Sequence, residues 1–119
     1  MDKIKWCSAK KEGLIIIEPN SNLAEAYIKK AEEALESMRV NVIKDWKIST
    51  AYYTLYFSLY SILTKIGIKC EIHSCTIEFA KRFLEEFFSE EEIDFTKDSL
   101  KARIDSQLLC CIINRVFLQ

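Results

Sequence analysis

Glycine and proline together occupy only three of the 119 positions. Tight turns and flexible linkers draw on both residues, so a chain this poor in them lacks the reversals of a small β barrel and the repeats of collagen. Half of the residues are hydrophobic, which excludes a disordered chain. At this length one domain is expected, spanning residues 1–119. The expected fold is all-α: an antiparallel up-and-down bundle of four to five helices, with room for a short N-terminal β-hairpin.

Residues 1–20 carry no helical period. Lys11-Glu12-Gly13 can turn a hairpin between Ile4–Ser8 and Leu14–Ile17, closed by Pro19. Asn22 with Glu25 reads as a capping box for a helix over 22–42, whose apolar face runs through Leu23, Tyr27, Ala31, Ala34, Leu35 and Met38. Asp45 can cap a second helix that Gly67 ends. Ile48, Tyr52, Leu55, Leu59, Ile62, Leu63 and Ile66 form one stripe of it, and Tyr53, Phe57 and Tyr60 a second. A helix apolar nearly all round belongs at the centre of the bundle. Its remaining stripe, Thr50, Thr54, Ser58 and Ser61, either faces solvent or admits a close neighbour. Ser74 can cap a third helix burying Ile77, Ala80, Phe83, Leu84 and Phe87. Glu90-Glu91-Glu92 reads as a solvated turn or the start of the next element. A fourth helix, from about Thr96 to Asn114, turns Leu100, Ile104, Leu108, Cys111 and Ile112 inward, and residues 108–119 make an unusually apolar tail.

Charge and cysteine content narrow the partners. A formal charge of -1 supplies no positive field to draw in duplex DNA, so any RNA contact is local. No apolar run approaches the ~20 residues that span a bilayer, and the opening Met1-Asp2-Lys3-Ile4-Lys5-Trp6 builds no signal-peptide core. Five cysteines, an odd number without a secretory signal, point to a cytoplasmic protein with free thiols.

The residues that could carry chemistry are few. Cys70-x-x-His73-x-Cys75 is the nearest approach to a metal motif, but structural zinc wants four ligands and no second pair follows, so no metal and no cofactor are expected. His73 is the single histidine and titrates nearest neutrality; its plainer role is to order the turn beside it. The tyrosines of the second helix could stack unpaired bases, yet they lie where burial is expected, so core packing with each phenol reaching a polar partner is the favoured reading. No phosphate-binding glycine loop, HExxH or GxSxG occurs.

The stretch Ser49-Thr50-Ala51-Tyr52-Tyr53-Thr54-Leu55-Tyr56-Phe57, followed by Ile66-Gly67-Ile68 and Ile72-His73-Ser74, resembles the second helix and following loop of HEPN domains (higher eukaryotes and prokaryotes nucleotide-binding). Ile17-Glu18-Pro19-Asn20, with the helix beginning Leu23-Ala24-Glu25-Ala26-Tyr27, looks like the archaeal branch of that family, and Lys101-Ala102-Arg103-Ile104-Asp105-Ser106-Gln107 resembles its last helix. The likeness covers residues 12–109.

This resemblance implies a dimerising helical bundle, a nucleotidyltransferase as antitoxin partner, and metal-independent cleavage of RNA. In active members an arginine is followed four to six residues later by a histidine. Arg103 matches the arginine, whereas residues 107–110 are Gln, Leu, Leu and Cys. Proton transfer in this chain therefore falls to His73 or Asp105, with Arg103 gripping the phosphate bidentately. The alternatives are a catalytically inactive interaction module, in which Arg103 pairs with Asp98 or Asp105, and a nucleotide-binding regulator. A homodimer is also expected on physical grounds, because the second helix and the tail carry more apolar surface than a monomer of this size readily hides.

Overall fold

In the computed structural model, the backbone is described over residues 2–117 and the side chains over residues 2–105. Seven elements follow in order: α1 (Lys3–Ala9), β1 (Ile15–Ile16), α2 (Ser21–Val40), α3 (Lys44–Ile66), β2 (Ile68–Lys69), α4 (His73–Phe83) and α5 (Glu90–Phe117). The architecture is the expected all-α bundle with one two-stranded antiparallel sheet.

α3 is the axis of the fold. Its neighbour α2 runs antiparallel to it, as the cross-links show: the Asn20 amide donates to the Thr64 carbonyl at 3.1 Å, and the Ser61 hydroxyl to the Ala24 carbonyl at 2.7 Å. Tyr27 likewise meets Phe57 and Tyr60. The hydroxyl stripe thus serves close packing at Ser61, which is buried beside the small residue Ala24. Higher up, Thr54 and Ser58 return their hydroxyls to the carbonyls one turn back. Gly67 ends α3 with φ of 96°, in the left-handed region. A Cβ there would sit 2.7 Å from the Ile17 carbonyl oxygen, so the position requires glycine.

The main core gathers Leu59 and Leu63 of α3, Ile77 and Ala80 of α4, Leu84 just beyond it, and Ile93 of α5. Burying each of the larger aliphatic side chains stabilises the fold by roughly 1.5–3 kcal/mol. Among the described residues, no helix is long and apolar enough to cross a membrane.

Several expectations need correction. The two-stranded sheet pairs Ile15 with Lys69 and Ile16 with Ile68, rather than with residues 4–8, which form α1 capped by the Asp2 carboxylate. β1 gains more from docking on the bundle, where the Ile17 amide also reaches the Gly67 carbonyl at 2.8 Å, than from a marginal local hairpin. Asn20, not Asn22, caps α2, accepting from the Leu23 amide at 2.9 Å. Ile43 and Ile72 occupy the cap positions before α3 and α4, with Asp45 and Ser74 already inside those helices. Phe83 and Phe87 are exposed, because α4 stops at Phe83 and the chain turns before Phe87 can continue its stripe.

α5 begins six residues before the expected start, at Glu90. Ser89 and Glu92 cap it reciprocally: the Glu92 amide donates to Ser89 Oγ at 3.1 Å and the Ser89 amide to the Glu92 carboxylate at 2.9 Å. Ile104 is exposed, and Leu108, Cys111 and Ile112 lie outside the described side chains.

The thiols are not all free. Cys7 on α1 and Cys75 on α4 form a disulfide across 68 residues of sequence, and Cys70 is a free, buried thiol. An odd cysteine count says nothing about which sulfurs the fold brings together; here α1 packs on α4 and carries Cys7 onto its first turn.

Candidate functional site

The middle of α3 places aromatic rings at 52, 53, 56, 57 and 60. Spacing of three and four residues sends Tyr52 and Tyr56 into the bundle, where both are buried and stack 5.8 Å apart. Tyr53 and Phe57 fall on the neighbouring stripe and stack at 5.5 Å. α4 then sets its first residue, His73, against this surface. The imidazole lies parallel to the Tyr56 ring with centroids 4.0 Å apart, and its Nδ1 is 2.8 Å from the Tyr52 hydroxyl.

α5 supplies the cation. Arg103 donates from Nη2 to the Tyr53 hydroxyl at 2.6 Å. Its guanidinium carbon lies 4.8 Å from the Tyr53 ring centre and 5.8 Å from that of Tyr52, within cation–π range of both. Arg103 Nε is buried and has no hydrogen-bond partner among the described residues. Among the described residues Arg103 makes no ion pair, and residues 106–119 contain no Asp or Glu that could supply one. The pairing with Asp98 or Asp105 is therefore not made.

Arg103, His73, Tyr53, Tyr56 and Ser74 line one open cleft of about 480 Å³ between α3, α4 and α5, and no carboxylate is among its described lining residues. Burial pushes the Tyr56 phenol up to about 12 and holds Tyr52 higher still, with the neighbouring Arg103 cation opposing the rise at Tyr52. Both phenols stay protonated at neutral pH. Burial, and then the Arg103 charge, lower the His73 pKa below its ordinary value. At neutral pH the imidazole is uncharged, so among the described lining residues Arg103 carries the one permanent positive charge, on a planar fork. A planar guanidinium can hold an oxyanion through two parallel hydrogen bonds.

The neutral imidazole has two usable forms. With its proton on Nδ1, given to the Tyr52 oxygen, Nε2 is a base; with the Tyr52 hydroxyl donating to Nδ1, Nε2–H is a donor. A phenol that serves either way lets the ring exchange roles without leaving its place.

Of the three residues singled out in the sequence, the structure brings Arg103 and His73 to one cleft and leaves Asp105 outside it. Asp105 is exposed and two residues beyond Arg103, which on a helix sets it on a different face. Tyr52 and Tyr56 are buried as the core reading expects, whereas Tyr53 and Tyr60 are half-buried; the hydroxyls of Tyr52, Tyr53 and Tyr60 meet His73, Arg103 and the Cys70 amide. What sequence reasoning missed is the pairing of Tyr52 with His73 and of Tyr53 with Arg103. The only available signal was the side-by-side pair Tyr52-Tyr53, which points one phenol to each of two adjoining surfaces. Cys70, His73 and Cys75 do not form a ligand set, since Cys75 is bonded to Cys7; among the described residues no group of three His, Cys, Asp or Glu side chains is placed to hold a metal ion.

No family model matches the chain, and no curated protein or solved structure shows significant similarity to it.

Proposed function

We propose that this chain is a HEPN-type protein of a toxin–antitoxin-like pair, acting on single-stranded RNA in the cleft of Arg103 and His73. The observation that carries the reading is the Arg103 guanidinium: it lies over the Tyr53 and Tyr52 rings with neither a carboxylate beside it nor a partner for Nε among the described residues, in the same cleft as a neutral imidazole. Burying part of a cation without a counter-charge costs stability unless an anion visits the site. In this reading Arg103 holds a phosphate of the RNA and His73 Nε2 takes the proton of the adjoining 2′-hydroxyl. The hydroxyl oxygen attacks phosphorus, the bond to the 5′ oxygen breaks, and that oxygen takes up a proton to leave as a hydroxyl. The product is a 2′,3′-cyclic phosphate, and no metal is needed.

The nucleotidyltransferase partner rests on the family resemblance alone. The homodimer has support on the surface: Val40, Val42, Ile43 and Trp46 are all exposed around the α2–α3 link. That cluster also favours the second reading, an inactive interaction module that binds a protein rather than RNA.

Sedimentation equilibrium with a labelled single-stranded RNA tests both. The expected result is a species of twice the 13.9 kDa chain mass that carries the RNA. Arg103→Ala should weaken RNA binding about tenfold or more with its helical content unchanged, and Arg103→Lys should not restore it, because a point charge lacks the fork. Cyclic-phosphate ends should disappear in His73→Ala. RNA affinity untouched by Arg103→Ala would leave the interaction module standing, and a monomer at micromolar concentration would remove the dimer.

A further inference from the structure

Behind the cleft lies a second cluster that the RNA reading does not use. Cys7, Cys70 and Cys75 are each 1% exposed or less and pack together under Trp6, Leu14 and Ile72. Two of the sulfurs are bonded to each other and the third is a thiol. The thiol is held close to the bond: Cys70 Sγ lies 3.3 Å from the Ile72 carbonyl oxygen, and the Cys75 amide donates to that same oxygen at 2.9 Å.

We propose that these three cysteines form a thiol–disulfide exchange site in which Cys70 displaces Cys7 from Cys75, with a small thiol such as glutathione as the co-reactant. The Cys70 sulfur, as its thiolate, attacks Cys75 Sγ. The Cys70–Cys75 bond forms, the Cys7–Cys75 bond breaks, and the electron pair leaves on Cys7, which takes up the proton that Cys70 gave up. This step is redox-neutral. Two glutathione thiols then reduce the Cys70–Cys75 bond, giving two protein thiols and one glutathione disulfide.

Burial favours the internal route. A dissolved thiol has no path to a bond between two fully buried cysteines, whereas Cys70 already packs against it. Release of Cys7 also undoes the covalent tie between α1 and α4. What then anchors α1 is its packing on α4 and an exposed bidentate pair between Arg82 and Asp2, at 3.0 and 3.1 Å. The seven-residue helix can lift and open the cluster to solvent. Cys75 stands on the first turn of α4, two residues from His73, so its change of partner acts on the element that positions the imidazole.

Disulfide mapping by mass spectrometry, on protein equilibrated with graded ratios of reduced to oxidised glutathione, acid-quenched and alkylated, tests the exchange. Cys7–Cys75 should be the main disulfide, and because the exchange is redox-neutral Cys70–Cys75 should accompany it as a minor isomer in the same proportion at every ratio, both giving way together to the reduced protein. Cys7→Ser should hold Cys70–Cys75 as its principal disulfide. If that variant instead leaves both cysteines alkylated throughout, or pairs either with Cys110 or Cys111, the proposal fails. Cys70→Ser gives an independent measure, because it keeps the native disulfide and removes only the internal attacker. Its reduction should be about tenfold slower than in the unaltered chain. Reduction at the unaltered rate would show that outside thiols reach the bond directly and would overturn the relay, even if Cys7→Ser does not fold.

Discussion

From Leu59 on, α3 is mostly ordinary core: Leu59 and Leu63 pack on α4 and α5, and Ser61 and Thr64 are buried on the side of α2. Before Leu59 the same helix buries two phenols, Tyr52 and Tyr56, both against the His73 imidazole, and Tyr52 with the half-buried Tyr53 lies under the Arg103 guanidinium. Both halves present an apolar surface at helical spacing, but only one holds groups that packing has no use for. A core that needed only volume would take leucine at 52 and 56, with no polar atom to satisfy. Tyr52 and Tyr53 instead hold His73 and Arg103 in place, as the proposed cleft requires of its scaffold.

The largest expected effect falls in the core half. Leu63→Ala removes a fully buried side chain and should cost about 2–5 kcal/mol in denaturant unfolding, while RNA affinity of the folded fraction stays the same. A matching loss of affinity would erase the distinction between the halves. Tyr52→Phe should be milder, about 0.5–1.5 kcal/mol, because it removes one hydroxyl and keeps the ring. It should nevertheless alter cleavage more than Leu63→Ala does; activity unchanged by it would return Tyr52 to the core.

The smallest effect is a dependence on pH. His73 has its pKa lowered in the folded chain, so the unfolded chain binds the proton more readily. The contribution of the neutral imidazole to stability is complete above the ordinary histidine value of about 6.5 and is lost as pH falls through it toward the folded value. Thermal unfolding between pH 7 and 5 should show this slope, and His73→Gln should flatten it. An NMR titration placing His73 at or above its ordinary value would contradict the burial described for the cleft.

The fold was largely legible in the sequence, because helix propensity and period are local. The end of α3 at Gly67 and its position at the centre of the bundle follow from residues within one helix. The partner of β1 does not, since Ile15 and Ile16 meet Ile68 and Lys69 only after α2 and α3 have folded back. The same holds for Cys7 and Cys75, whose meeting depends on where α1 docks. In the site, Arg103 and His73 could be named as residue types suited to phosphate chemistry. That they share a cleft depends on the packing of α4 and α5 against α3, and no spacing along the chain encodes it.

The Cys7–Cys75 bond makes residues 7–75 a closed covalent ring that contains α2 and α3 whole. Tyr52, Tyr53 and His73 belong to that ring; Arg103 lies on the open chain beyond it. A backbone cut anywhere inside the ring leaves one covalently joined molecule, whereas a cut after residue 75 and before Arg103 separates the arginine from the rest. Under denaturant the ring keeps the tyrosines and the imidazole on one tethered loop, worth about 4 kcal/mol of restricted chain freedom. No covalent tie among the described residues holds Arg103 in the same way, so the cleft is assembled from a leashed half and an unleashed one.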